Sequence, residues 1–266
     1  MALPPGAADC HAHLIGDDFA LWDGRVEDPP PGPLDAWVAR YRAHLDRLGF
    51  QRGVVVHSIL YGADNAITVQ ACRLLGPGFA GIGLITDDAT GADLDALVAA
   101  NIRGVRLNYV HGGVLSWAAM CRLAPALAER GLHVEMLAHS HLHLAEIAPQ
   151  LARLPVDIVF DHCAWPDMAG LKNDPGQDAL RRLLGAGRAW VKLSALYRFG
   201  GTADLLRALV AANPERCLWG SDWPHLMLNG VAMPDAGALL NDALAAIDPA
   251  RHRAIFCDNP ARLYGF

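Results

Sequence analysis

The sequence predicts a closed (β/α)8 barrel, and three observations carry that prediction. Short β-branched apolar runs alternate with longer helical patterns along all 266 residues. The runs end near positions 13, 57, 85, 108, 139, 162, 194 and 222, in steps of 44, 28, 23, 31, 23, 32 and 28 residues; one βα unit needs roughly 30 residues. No Gly-rich dinucleotide loop follows the first run, as an open doubly wound sheet would favour. The length also suits one barrel of about 250 residues, so residues 1–266 are expected to form a single domain.

The elements follow in order. A first short strand ends in Asp9–His13. Residues 14–33 are Gly/Pro-rich, with Pro29-Pro30-Pro31 among them. Such a loop at a barrel mouth is expected to be a lid or a pocket wall. The amphipathic stretch Leu34–Leu48 leads to the clearest strand, Val54–His57. Asn65–Leu75 then precedes Gly81–Ile85, and Ala92–Ala100 precedes Gly104–Asn108. Ser116–Arg130 precedes His133–Leu137, and Leu142–Leu154 precedes Asp157–Asp161. Asp178–Gly185 precedes Ala189–Leu193, Ala203–Ala212 precedes Cys217–Gly220, and Ala236–Ile247 is expected to be the final helix.

Composition removes several classes of function. An apolar fraction of 53% with 19% charged residues excludes a mainly disordered chain. The net charge is −6, the only lysines are Lys172 and Lys192, and no basic block suggests a nucleic-acid groove. Six cysteines lie scattered with no C-x-x-C pair. They suggest neither a disulfide framework nor a zinc knuckle, and fit a reducing cytoplasm. The first ten residues carry no basic and apolar leader pattern, and no run approaches ~18 apolar residues. A cytoplasmic protein without a membrane span is expected, and a homo-oligomer is compatible with it.

The strand ends carry the chemistry. In a barrel they form the face that holds the reacting groups. Here they bear His11 and His13, His57 and Ser58, Arg106 and Asn108, His139, Asp161 and His162, Lys192 and Ser194, and Asp222. In His11-Ala12-His13 the two imidazoles share one side of a strand. Strands one and eight are neighbours in a closed barrel, which brings Asp222 close to both, and His162 is the third converging imidazole. His57 and His139 stay undecided, and His111, His44 and His252 receive no role. Arg106 either clamps a substrate carboxylate or pairs with a barrel carboxylate such as Glu135. Arg198 is a second clamp or a solvated loop residue. With Ser58, Tyr61, Asn108 and Ser194 nearby, an oxyanionic or polyhydroxylated ligand is indicated.

Taken together, Asp9-Cys10-His11-Ala12-His13, Tyr61-Gly62-Ala63-Asp64-Asn65, Gly104-Val105-Arg106-Leu107-Asn108, Phe160-Asp161-His162, Val191-Lys192-Leu193-Ser194, Trp219-Gly220-Ser221-Asp222-Trp223-Pro224-His225 and the closing Asn259–Phe266 block resemble the amidohydrolase-related (amidohydrolase 2) family. The nearest likeness is to its branch of 2-pyrone-4,6-dicarboxylate and sugar-lactone hydrolases. The resemblance implies a distorted TIM barrel that hydrolyses a lactone or amide. It implies that His11, His13, His162 and Asp222 form the reacting centre. It also implies that Arg106 and Arg198 hold substrate carboxylates. In many members such ligands hold one divalent metal; in the pyrone branch the histidines polarise the carbonyl directly. Asn108–Gly113 lacks the second arginine that this branch would place soon after Arg106.

The expected function is therefore hydrolysis of a small carboxylated lactone. Asp222 acts as base, and His11, His13 and His162 stabilise the oxyanion. Ser58, Tyr61, Arg106, Asn108, Arg198 and His225 contact substrate. No cofactor is required, although His11, His13, His162 and Asp222 could hold zinc or manganese. Alternatives are a metal-dependent amidohydrolase, a non-oxidative decarboxylase, a sugar-acid lactone isomerase and a non-catalytic binding barrel. A metal-free site needs imidazoles that carry charge or donate hydrogen bonds. Their ordinary pKa of ~6.5 predicts an alkaline loss of rate.

Overall fold

Strands form where the apolar runs lie, and they pair in sequence order. The computed structural model describes residues 3–110 and 112–266. Among them are eight parallel strands: β1 (Ala8–Ala12), β2 (Arg52–Val56), β3 (Phe79–Gly83), β4 (Ile102–Asn108), β5 (His133–Leu137), β6 (Ile158–Phe160), β7 (Ala189–Leu193) and β8 (Cys217–Trp219). Each lies beside the next from β1 to β8. Neighbouring strands joined by parallel crossovers bury both faces, which is why the runs are continuously apolar.

The helices are α1 (Leu34–Leu48), α2 (Ala66–Leu75), α3 (Gly91–Ala99), α4 (Trp117–Glu129), α5 (Ala145–Leu151), α6 (Pro175–Gly185), α7 (Ala203–Ala212) and α8 (Ala236–Ala246). Local chemistry sets their starts. The Thr90 hydroxyl accepts from Asp93 N–H while the Asp93 carboxylate accepts from Thr90 N–H, a reciprocal cap for α3. Asp174 accepts from Gly176 N–H at 2.8 Å and Pro175 opens α6, so that helix begins three residues before the predicted Asp178. The predicted helix Leu142–Leu154 is instead a π turn, Ser140–Leu144, running into the shorter α5.

The expectation that the chain's helices end with Ala236–Ile247 is corrected. α9 (Pro249–Arg253) follows at once, because Asp248 accepts from Ala250 N–H at 2.9 Å and Pro249 suits a first turn. A π turn, Ala254–Asp258, then leads to α10 (Asn259–Tyr264). Tyr264 packs with Ala8, Val54, Ile82, Trp190 and Leu218. The last helix thus joins the strands in one buried apolar cluster, while the strands' other ends carry the polar groups.

Residues 14–33 contain no helix or strand. Asp17 accepts from Gly32 N–H at 2.9 Å and Asp18 from Leu34 N–H at 3.1 Å. These bonds fold the loop onto the start of α1. No helix among the described residues is long and apolar enough to cross a membrane.

Candidate active site

The site is assembled at the seam between β1 and the end of β8. Asp222 N–H donates to His11 C=O at 2.8 Å, and His13 N–H donates to Trp223 C=O at 2.7 Å. Gly220 faces His11 so closely that a Cβ there would lie 2.5 Å from the His11 Cβ. Asp9, two residues earlier, turns the other way and accepts from Ser221 N–H and Oγ–H and from Tyr41 O–H. The β1–β2 pairing shifts register between Asp9 and Ala12. Such an irregularity re-aims side chains, so Asp9 does not share the imidazoles' side.

Three imidazoles converge on one carboxylate oxygen. Asp222 Oδ1 lies 3.6 Å from His11 Nε2, 3.8 Å from His13 Nε2 and 3.9 Å from His162 Nε2. His13 Nδ1 is 2.8 Å from the Val56 carbonyl, which only an N–H can satisfy, so its Nε2 carries the lone pair. His162 Nδ1 pairs with Ser194 Oγ at 2.8 Å. Asp222 Oδ2 accepts from the Tyr197 hydroxyl at 2.7 Å. Tyr197 had no assigned role in the sequence, since a loop tyrosine has no periodicity to aim it. Asp222 and His162 both sit in the left-handed region, at φ 62° and 52°. Their strained backbone aims the side chains in a way strand parity does not predict.

These groups have the chemistry of a metal site. His11 Nε2 is buried without a hydrogen-bond partner. Single ligand atoms of His11, His13 and Asp222 lie within 4.8 Å of one another, and so do those of His11, Asp161 and His162. Outward-bonded Nδ1 atoms with inward Nε2 atoms are the arrangement imidazole ligands need. The donor set fits a divalent ion.

Beneath the imidazoles lies a sealed charge network. Lys192 Nζ donates to Glu135 Oε2, lies 3.7 Å from Asp161 Oδ1, and is 3.3 Å from His11 Nδ1. His11 Nδ1 is 3.2 Å from Asp161 Oδ1. The side chains of Lys192, Glu135, Asp161 and His11 have no exposed surface. Arg106 Nη2 bonds Asp161 Oδ2 at 3.3 Å, and its Nη1 donates to His57 C=O. Arg106 and Glu135 are register neighbours on β4 and β5. Even so, Arg106 pairs with Asp161 rather than with the Glu135 suggested by sequence, because Lys192 takes Glu135.

Burial dominates the electrostatics. It holds His11 well below the ordinary imidazole range and lowers His162, while His13 is brought down to about 4 by burial with Arg106 adding to it. All three are neutral near pH 7, so the expected alkaline loss of rate from their deprotonation has no source. Burial opposes ionisation of Asp222, yet the surrounding imidazoles and Arg198 hold its carboxyl below the usual range. Burial, reinforced by Asp161, pushes Glu135 up against the pull of Lys192.

A cavity of about 110 Å³ opens above Asp222, enough for several waters. His13, Ser58, Arg106, Asn108, His162, Arg198 and Asp222 line it, joined by Glu27, Trp165 and Asn229. The 14–33 loop is thus a pocket wall, through Glu27. Tyr61 stands outside: its hydroxyl accepts from Gly16 N–H and donates to Gly16 C=O, bracing that loop. His225 also stands outside, lining a separate outer groove and packing edge-on against Tyr197. Neither touches the cavity as the sequence led us to expect. Arg198 reaches the cavity but donates to Leu226 C=O at 2.7 Å and Met227 C=O at 3.0 Å, so its fork braces the β8 loop. His57 bonds Thr68 Oγ1 and Gly62 C=O, which makes it a buried strut. His139 stacks on Trp165, and His111 lies outside the described residues.

Comparison with known proteins places this geometry in a family. The chain is 32% identical to a 2-pyrone-4,6-dicarboxylate hydrolase of Comamonas testosteroni, over 98% of this chain and 91% of that one. It is 33% identical to a 4-sulfomuconolactone hydrolase of Rhizobium radiobacter, over 99% and 91%. A crystal structure of an Agrobacterium tumefaciens protein superposes with a TM-score of 0.85 at 25% identity, covering 100% of this chain and 97% of that chain. The amidohydrolase family model matches residues 8–266. That span includes both ends of the β1–β8 seam, and the chain belongs to the amidohydrolase family.

Proposed function

We propose that residues 1–266 form one barrel domain that hydrolyses a small carboxylated lactone at the mouth. The observation that carries this reading is the convergence of three Nε2 atoms on Asp222 Oδ1 at 3.6, 3.8 and 3.9 Å. Asp222, ionised and held by Tyr197, takes a proton from a water. The resulting hydroxide attacks the lactone carbonyl, the ring C–O bond breaks, and the leaving oxygen takes up the proton from Asp222. A positioned base contributes about 10²–10⁴-fold. His11, His13 and His162 aim their Nε2 atoms at the place where the carbonyl reacts. Arg106 pairs with a substrate carboxylate, with Ser58 and Asn108 beside it. A zinc or manganese ion held by His11, His13, His162 and Asp222 would polarise the carbonyl and acidify the water. The parts given to Asp222 as base and to Arg106 as carboxylate partner do not depend on that ion, whereas a neutral His13 whose Nε2 carries a lone pair reaches an oxyanion only through one.

The test is a screen of neutral, monocarboxylated and dicarboxylated lactones for acid release, with and without chelator. Acid release from carboxylated lactones is expected. Substrate loss without acid would indicate isomerisation instead, and release of carbon dioxide decarboxylation. Arg106→Met should raise KM for carboxylated lactones about 10–150-fold more than for neutral ones, as a charge-assisted contact contributes ~1.5–3 kcal/mol. Equal losses for both classes would leave Arg106 only its structural pairing with Asp161.

A further inference from the structure

The cavity holds a charged group that the reaction does not use. Its charged lining residues are Arg106 and Arg198 against Asp222 and Glu27. Neither positive group is free for a second anionic group once Arg106 holds the first. Arg106 bonds Asp161, and Arg198 donates to two backbone carbonyls while its Nε lies 3.9 Å from Asp222 Oδ2. Glu27 is half-buried in the 14–33 loop, and its Oε1 accepts from Met227 N–H at 2.8 Å. That bond pins the carboxylate where the β1 and β8 loops meet. In a barrel ordered β1 to β8, β4 stands opposite β8, so Arg106 enters the cavity from the strand opposite the one whose loop holds Glu27.

We propose that Glu27 is a specificity-determining residue that rejects a second anionic group and accepts hydroxyl donors at the end of the substrate away from Arg106. This rests on the lactone-hydrolase reading and narrows it to substrates with one carboxylate. A second carboxylate would meet the fixed charge of Glu27 with no free cation among the described lining residues to offset it. Like charges in a poorly solvated site repel strongly. A hydroxyl there donates a charge-assisted hydrogen bond to the same oxygens.

The experiment compares a monocarboxylated and a dicarboxylated 2-pyrone, on wild type and on Glu27→Gln. Glutamine keeps the oxygen that accepts from Met227 and removes the charge. Wild type should favour the monocarboxylated pyrone by tenfold or more in kcat/KM. Glu27→Gln should narrow that ratio by tenfold or more, mainly through a lower KM for the dicarboxylated pyrone. Equal changes for both pyrones, or a wild type that favours the dicarboxylated one, would overturn the proposal. A wild type that hydrolyses neither sinks the lactone reading separately. Calorimetric titration of the same two pyrones then reads the discrimination by itself: a ratio narrowed tenfold in Glu27→Gln upholds it. An unchanged ratio, or no binding of the monocarboxylated pyrone, overturns it.

Discussion

Two groups of charge share this barrel and differ in what they face. Lys192, Glu135 and Asp161 are sealed, and they bond to one another, to His11 and, through Asp161, to Arg106. Asp222, Arg198 and Glu27 line a cavity, and beside them His11 Nε2 has no hydrogen-bond partner. The sealed group places a lysine opposite two carboxylates and so orients His11. The cavity group lines open space, whereas Glu135 Oε1 and Asp161 Oδ1 lack hydrogen-bond partners out of reach of solvent. Burial alone therefore does not separate scaffold from chemistry here. The deepest ions are structural, and the carboxylate oxygen shared by three imidazoles at the cavity marks the reacting end.

The sharpest test of that contrast is Asp222→Asn. It removes the proton acceptor at constant size, and turnover should fall by about two to four orders of magnitude. The thermal midpoint should stay within a few degrees; activity within a few-fold of wild type would remove Asp222 from the reaction. Lys192→Met should do the opposite. Stranding Glu135 and Asp161 should cost about 3–5 kcal/mol in denaturant unfolding, and adding Glu135→Gln should restore part of it. Wild-type stability in the single variant would show that the sealed group is not electrostatically tied.

An intermediate effect comes from acid. Burial holds His57 at about 4, against ~6.5 in the unfolded chain. Between those values the unfolded chain binds a proton that the folded one refuses. The contribution of His57 is thus complete above about pH 6.5 and lost as pH falls toward 4, by about 3 kcal/mol at most. Asp9, which burial raises to about 6, acts with the opposite sign in the same window. The His57 part is therefore read as the difference in pH slope between wild type and His57→Asn, and equal slopes would contradict it. Because the cavity imidazoles are also depressed, kcat should show no alkaline fall centred near pH 6.5. The smallest effect is that of Tyr197→Phe. Losing one hydrogen bond to the Asp222 carboxylate should lower kcat about tenfold, the low end for a charged acceptor, with KM little changed.

The barrel was legible because eight apolar runs recur, separated by seven steps of about the length of one βα unit. The meeting of His11, His13 and Asp222 was legible because adjacency of the first and last strands follows from topology. The rest depended on directions that a linear pattern does not carry. Tyr61 and His225 lie outside the strands, where no period says which way a side chain points; Tyr61 braces the 14–33 loop and His225 packs on Tyr197. Arg198 was read from its charge, but its fork is occupied by carbonyls of a neighbouring loop. Lys192 stood out as one of two lysines, yet its partner came from β5, two strands away. Glu27 gave no signal, since a carboxylate in a Pro-rich loop resembles any solvated one.

The β1–β8 seam has a consequence for how the protein acquires its activity. His11 and Asp222 are separated by most of the chain, and the hydrogen bonds that align them also dock the first strand on the last. Contacts of such sequence separation form late, after the loop-closure entropy has been met. A refolding chain that has stacked β1 through β7 still lacks its base and one wall of the oxyanion pocket. Recovery of turnover therefore requires the docking of β8, whereas helical circular dichroism recovers with helices on both sides of that strand, α1–α7 before it and α8–α10 after it. A lag of turnover behind the helical signal places ring closure after helix formation.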